Sequence, residues 1–369
     1  MIYADNAATT MLHPEALDAM MPFLTDFYGN PSQSYEFGKK SAKAIERARC
    51  TIAECIGADM DEIYFTSGGT EGDNWIIRMS SGPVYTSAIE HHAVLNACSY
   101  LNDRDVKYMP VDAKGTVLIP DELSKGGLIS VMMANNETGV IQPVKKYASI
   151  AHENGLLFAT DAVQAMGHIA IDVKEMGIDY LAASAHKFNG PRGIGFVYMK
   201  HGCELKPLIA GGAQERGKRA GTENVAAIVG MAKALRLNVN DIENRVIKLN
   251  GFTDIIKKRL SEAGIDYIVN TPENALPGLL SISFAGIKGE TILHRLDIMG
   301  ICISTGSACD SNNTVVSHVI KALEVPERYA KGTVRISLDM KNTLEDAEQI
   351  AAALIKVYGS FREKMGEII

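Results

Sequence analysis

The chain has 369 residues, and at about 150 residues per domain that length suits roughly two domains, each able to bury its own core without disulfide or metal staples. Apolar residues make up 46% and charged residues 22%, near globular averages, which excludes a disordered, collagenous or coiled-coil chain. Lys and Arg total 37 against 44 Asp and Glu, a net charge of −7, so no cationic field draws the chain to nucleic acid.

The first residues, Met1 to Asn6, lack the basic segment and apolar stretch of a secretory signal, which predicts no export. Next, Ala42, Ile45, Ala48, Ile52 and Cys55 recur at spacings of three and four, the pattern of an amphipathic helix with Cys55 on its buried stripe. Strands are predicted at Ile63–Phe65, Val84–Thr86, Leu128–Met132, Leu156–Ala159 and Tyr180–Ala183, with helices between them such as Val144–Asn154. Several of these strands are apolar on both faces, as in a sheet covered by helices on each side, so an α/β layered domain is expected. A long charge-rich helix follows over Asn240–Ala263, then a loop marked by Pro272 and Pro277. The rest reads as strand Leu279–Ser283, helix Gly289–Met299, strand Ile301–Ser304, helix Val315–Leu323, strand Val334–Leu338 and a helix from Thr343, a small α+β domain. No uncharged run reaches the roughly 18 apolar residues of a membrane span. The cysteines include no CxxC pair, so reduced thiols in the cytoplasm are expected rather than a zinc ribbon or a disulfide framework.

Three segments carry chemistry. Phe65–Glu71, with Gly69 and Thr70, follows a strand and opens a helix, where backbone N–H groups and the Thr70 hydroxyl can hold a phosphate; the same composition also suits a plain turn and helix cap. Asp161 follows an apolar strand, where open α/β sheets place ligands; it can hold a protonated ring nitrogen or simply cap the next helix. Lys187 stands after a strand and before a turn of Gly190, Pro191 and Gly193, flanked by Ser184 and His186, and such a lysine can form a Schiff base when its amine is neutral. Lysine, ring-nitrogen partner and phosphate turn are together the attachments that pyridoxal phosphate requires.

With these residues in hand, the sequence resembles the pyridoxal-phosphate cysteine desulfurases of the NifS/IscS type. The resemblance runs from Tyr3–Thr10 to Val334–Ser337, and is densest at Phe65–Asn74, Ala134–Gly139, Asp161–Gln164, Ser184–Gly193, Gln214–Gly217, Arg219–Asn224 and Ser304–Cys309. It implies the aspartate-aminotransferase-like fold (fold type I): a large α/β/α domain around a mainly parallel seven-stranded sheet, at residues 14–245, and a smaller α+β domain of residues 1–13 and 246–369. By the same resemblance Lys187 bonds the cofactor and moves the proton at Cα, while His91 stacks on the ring and assists proton transfer. Gln164 meets the ring hydroxyl; Thr70, Ser184, His186 and Thr222 of a second subunit hold the phosphate. Asn136 and Arg335 bind the substrate carboxylate, a role suited to a planar guanidinium.

Cys309 carries the expected sulfur chemistry. It lies in a run of small and polar residues, Ser304 to Asn313, and is expected to be accessible, whereas Cys302 between Ile301 and Ile303 is read as core. The resemblance implies that L-cysteine yields L-alanine and a persulfide on Cys309, passed to an acceptor protein. An iron–sulfur scaffold or a tRNA-thiolation carrier both suit that acceptor: family members that feed a scaffold carry a C-terminal extension used in docking, and this chain stops at Ile369. A homodimer is implied through Thr222. Two further readings stand beside this one, a selenocysteine lyase or other lyase or aminotransferase on the same fold, and a non-catalytic partner protein that binds the cofactor. No metal-ligand spacing occurs, so no metal is expected.

Overall fold

The computed structural model describes residues 1–204, 206–305 and 316–366. Twelve strands lie among the described residues: β1 (Ile2–Tyr3), β2 (Ile63–Thr66), β3 (Val84–Ser87), β4 (Val106–Met109), β5 (Leu128–Ser130), β6 (Leu157–Asp161), β7 (Tyr180–Ser184), β8 (Gly195–Met199), β9 (Tyr267–Val269), β10 (Leu279–Phe284), β11 (Ile301–Cys302) and β12 (Thr333–Ser337). Seven of them form one sheet in the order β2-β8-β7-β6-β5-β3-β4. Only β8 runs antiparallel to its neighbours, and every other pair is parallel, so the mainly parallel seven-stranded sheet expected from the sequence is present.

Side chains alternate along each strand, and here both faces are apolar. Leu181 and Ala183 of β7 enter a core with Phe65, Phe158 and Phe196, closed by Ile45, Ala48 and Ile52 of helix Glu36–Ile56 and by Met231 and Leu235 of helix Val225–Val239. Tyr180 and Ala182 of the same strand enter the opposite core with Tyr64 and Val197, closed by Trp75, Ile76 and Ile77 of helix Gly69–Met79 and by Val94 and Ala97 of helix His92–Ser99. A third core joins Ile282 of β10 and Val334 and Ile336 of β12 to Leu249, Phe252 and Ile256 of helix Ile242–Glu262 and to Ile350, Leu354 and Val357 of helix Leu344–Gly366. Ile2 and Ala4 join that core, because β1 pairs in parallel with β11 and Asp5 bridges to Ser337.

The structure departs from the sequence reading in a few places, each with a local cause. Strand β6 continues to Asp161, because Asp161 still pairs with Ala182 of β7. Strand β11 stops at Cys302, because its partner β1 pairs over Ile2 and Tyr3 alone; beyond it, Ser304 bridges to Arg335. Cys302 is accordingly half-buried and not core. The helix expected at Val315–Leu323 spans His318–Ala322, where the Ser317 side chain caps it by accepting the Val319 N–H at 3.1 Å. No described helix is long and apolar enough to cross a membrane.

Candidate active site

Parallel strands end along one edge of the large sheet, and the turns beyond those ends supply the chemistry-bearing residues. Asp161 is the last residue of β6 and Ser184 the last of β7, after which a single 3-10 turn, Ala185–Lys187, carries His186 and Lys187 outward. Beyond β3 the chain reaches His91, the cap of helix His92–Ser99. Beyond β2, Ser67 and Gly68 lead into helix Gly69–Met79. A cavity of about 580 Å³ at these ends is lined by Gly69, Thr70, His91, Asn136, Asp161, Gln164, Ser184, His186, Lys187 and Arg335. Ten residues named from sequence thus meet at one cavity, drawn from places as far apart as 69 and 335. Thr222 is exposed and does not line it in the single chain, and Cys309 lies outside the described residues.

Close packing explains Gly69 of the Gly68–Gly69 turn and Gly195 of the strand beside it. A Cβ on Gly69 would lie 2.4 Å from Val163 Cγ2, and one on Gly195 would lie 2.3 Å from the Ala183 carbonyl oxygen and 2.8 Å from Gly68 Cα. The first N–H groups of helix Gly69–Met79 lack partners within the helix, so an anion at this turn meets donors and the positive end of the helix dipole. Glu71 braces the turn by accepting the Ser67 N–H at 2.8 Å, and Arg219 pairs with Glu71 at 2.9 Å.

Lys187 Nζ donates to the Ala7 and Ala8 carbonyls at 2.6 and 2.8 Å, and Gln164 donates to the same Ala7 carbonyl at 2.9 Å. The segment after β1 therefore forms one wall of the site. Burial raises the Asp161 carboxyl to about 6, against the pull of the Val163 N–H, which it accepts at 2.8 Å, and of the Lys187 charge. His91 is pushed down to about 4 by burial and then by Lys187, and His186 is pushed to about 4 by the same causes, with Arg192 adding to them. His91 Nδ1 accepts the Ala93 N–H at 3.1 Å, so a neutral His91 carries its proton on Nε2.

Arg335 on β12 is buried with its guanidinium committed: one Nη donates to Asp5 Oδ1 at 2.7 Å and the other to the Asn136 carbonyl at 2.8 Å. Its Nε is buried without a hydrogen-bond partner among the described residues. Asp5 was not singled out in the sequence, where an acid near a chain start carries no signal. Two more acids escaped notice for the opposite reason: Asp73 and Glu90 are buried, and a sequence prior places carboxylates outside. Burial raises Asp73, with Asp161 and Glu90 adding to the effect, and burial lifts Glu90 to about 8.

Comparison with known proteins agrees with this geometry. The profile of the class-V aminotransferase family matches residues 2–350. A relative from Dictyoglomus turgidum named cysteine desulfurase IscS is 43% identical, over 98% of this chain and 95% of its own length. Among solved structures, a NifS-like protein superposes with a TM-score of 0.90 at 36% identity, covering 96% of this chain and 98% of that one. SspA in complex with cysteine gives a TM-score of 0.79 at 32% identity, covering 93% and 100%. The chain belongs to the class-V aminotransferase family, whose members use pyridoxal phosphate. The residues present fit that cofactor: a turn at Gly68–Gly69 packed so closely on Val163 that Gly69 has no room for a Cβ, a buried carboxylate at Asp161, and the Lys187 amine lining the same cavity.

Proposed function

We propose that this chain is a cysteine desulfurase that removes sulfur from L-cysteine, releases L-alanine and retains the sulfur as a persulfide on Cys309. The convergence of Lys187, Asp161, His91 and Arg335 on one cavity supports this reading, in a chain 43% identical to a relative named for that activity.

Pyridoxal phosphate, when bound, supplies an electrophilic aldehyde for the substrate amine and an electron sink for the Cα carbanion. Gly69, Thr70, Ser184 and His186 hold its phosphate, together with Thr222 from a second subunit. Asp161 holds the proton of its ring nitrogen, and a cation there counteracts the burial that otherwise raises this carboxyl. Gln164 accepts or donates at the ring hydroxyl, while its amide stays anchored on Ala7. Lys187 would carry the cofactor between turnovers, and its freed Nζ would take the proton from Cα and return it. As Lys187 gives up its charge, one cause of the depressed His91 basicity is removed, while the Nε2–H of the neutral ring stays the proton it can donate. Arg335 and Asn136 orient the substrate carboxylate, with Asp5 fixing the guanidinium plane. The Cys309 thiolate then attacks the substrate sulfur: an S–S bond forms, the C–S bond breaks, and the remaining three-carbon unit takes a proton and leaves as L-alanine.

In the same reading the enzyme is a cytoplasmic homodimer that passes sulfur to an iron–sulfur scaffold or a tRNA-thiolation carrier. Residues 14–245 form the large domain, and residues 1–13 with 246–369 form the small one. Two cores, one around the large sheet and one around β10 and β12, support this division, with Ala7, Leu276 and Leu279 of the small part packing into the first.

The test is a visible spectrum of the purified protein followed by alanine and sulfide assays with L-cysteine, on wild type and Cys309→Ala. Aldimine-region absorbance with alanine from wild type and none from the variant is the expected result. Alanine from the variant would remove Cys309 from the mechanism, and absence of the band after adding pyridoxal phosphate would overturn the reading.

A further inference from the structure

The turn that presents His91 is held from outside by a third histidine. His318 opens the short helix His318–Ala322, and its Nε2 lies 3.0 Å from the Glu90 carbonyl oxygen, which can only accept, so Nε2 is the donor. Its ring also packs edge-on against His92, with centroids 4.9 Å apart at 62°. Beneath these contacts Val319 and Leu323 share a small buried cluster with Ile89, Met132 and Val140. The other carbonyl of the turn, Ile89, accepts from Asn135 Nδ2 at 2.9 Å, and the Glu90 carboxyl accepts from the Met132 N–H at 2.9 Å. His91 therefore stands between residues whose main chain and side chains are pinned on both sides. The His91 ring itself has only the Ala93 N–H as a described hydrogen-bond partner.

We propose that His318 is a positioning residue for His91: by donating to the Glu90 carbonyl, it fixes the turn from which the His91 imidazole enters the cavity. Without it the Glu90 carbonyl loses its partner, and a partly buried acceptor left unpaired shifts to find another. A shift of about 1 Å at a proton-transfer group is enough to slow the reaction it serves by about tenfold or more. The expected effect on turnover rests on the proposed role of His91 in desulfuration, whereas the positioning itself does not.

Two substitutions separate the contacts. His318→Phe keeps a ring for His92 and loses the donor; His318→Gln keeps a donor of similar reach and loses the ring. Val319→Ala loosens the same helix without touching the hydrogen bond. Each is read in three ways: ¹⁵N spectra of the His91 imidazole in the apoprotein, kcat and KM for L-cysteine in the holoenzyme, and the thermal midpoint. For His318→Phe we expect kcat down about tenfold with KM within about twofold, and a His91 spectrum showing both tautomers in place of the Nε2-protonated form. His318→Gln should recover both, and Val319→Ala should lower the midpoint with little effect on kcat. Should His318→Phe not fold, His318→Leu is read the same way. A wild-type His91 spectrum and kcat in the Phe variant would overturn the proposal. So would equal damage in the Gln variant, or a kcat loss in Val319→Ala that matches the Phe variant. His91→Ala serves as reference: if it turns over normally, the role given to His91 fails, and the imidazole spectrum still decides whether His318 sets its ring.

Discussion

Within one cavity Lys187 acts on its neighbours in opposite chemical senses. Its charge helps keep Asp161 ionised against burial, and the same charge helps keep His91 neutral. Lys187→Ala removes both influences, so the His91 imidazole of the apoprotein should titrate above its present value of about 4; an unchanged NMR titration would mean that burial alone sets it. The same variant should lose about a thousandfold or more in alanine formation, the usual loss when a positioned proton-transfer base is deleted. Glu90 gives a second test. Its carboxyl accepts from Ser87 Oγ at 2.5 Å and from the Met132 N–H, and burial raises it from 4.5 to about 8. A carboxyl with a raised folded value favours the fold fully below its unfolded value and loses that contribution as pH rises through the folded one. Glu90→Gln mimics the protonated form, so the melting temperature of the variant should gain on wild type from pH 5 to pH 8 and then hold its lead; a gap independent of pH would show that Glu90 is not the titrating group. Lys187 was legible in the sequence because a motif surrounds it, and His91 through the family resemblance. Glu90 was not, since nothing local distinguishes a carboxylate that tertiary packing will bury from one left in water.

Elements position the site through pairings that the sequence does not announce. The turn Gln214–Gly217 holds Glu215 and Arg216 at φ of 46° and 57°, a left-handed conformation that side chains rarely adopt. Glu215 is buried and makes up the strain: its carboxylate accepts from Arg49 of helix Glu36–Ile56 at 2.7 and 2.8 Å and from the Phe65 N–H of β2 at 2.8 Å. Arg216 lies over the Tyr64 ring, 4.0 Å from its centroid, and donates to the Ile63 carbonyl. This turn is therefore fastened to the strand that leads into the phosphate cradle, and Arg219 adds a second fastening through Glu71. Glu215→Gln should cost about 3 kcal/mol, because it leaves a buried guanidinium without its counter-charge, and calorimetry should record a drop of several degrees. A shift below one degree would mean that the pair is not coupled to the fold. Helix Glu36–Ile56 was readable from its apolar period, yet Arg49 beside Ile45 and Ile52 looks like any solvated charge on its rim. Strand β4 escaped the sequence reading because it is the sheet edge, with Lys107 and Tyr108 exposed. Strand β8 escaped because it directly follows the turn of Gly190, Pro191 and Gly193 and opens with Gly195, which the close approach of Gly68 requires.

At the scale of the molecule, one residue of the predicted phosphate site stands outside the cavity of its own chain. Thr222 is exposed, while Arg219, three positions earlier, is already drawn to Glu71 at the cradle. If Thr222 serves the partner's phosphate, each active site of a symmetric dimer takes Lys187 from one subunit and Thr222 from the other. That arrangement makes a prediction no single chain can mimic. Take Lys187→Ala and Thr222→Ala, each impaired as a homodimer, and mix them after dissociation. In a hybrid dimer one site combines both defects, whereas the other combines the intact Lys187 of one chain with the intact Thr222 of the other. Random pairing makes half of the dimers hybrids, so about a quarter of all sites should regain wild-type turnover and cofactor affinity. Were Thr222 to act within its own chain, every site would keep a defect and mixing would restore nothing. Light scattering on the same samples should give about twice 39.9 kDa, and a monomer with full desulfurase activity would end the argument for a shared site.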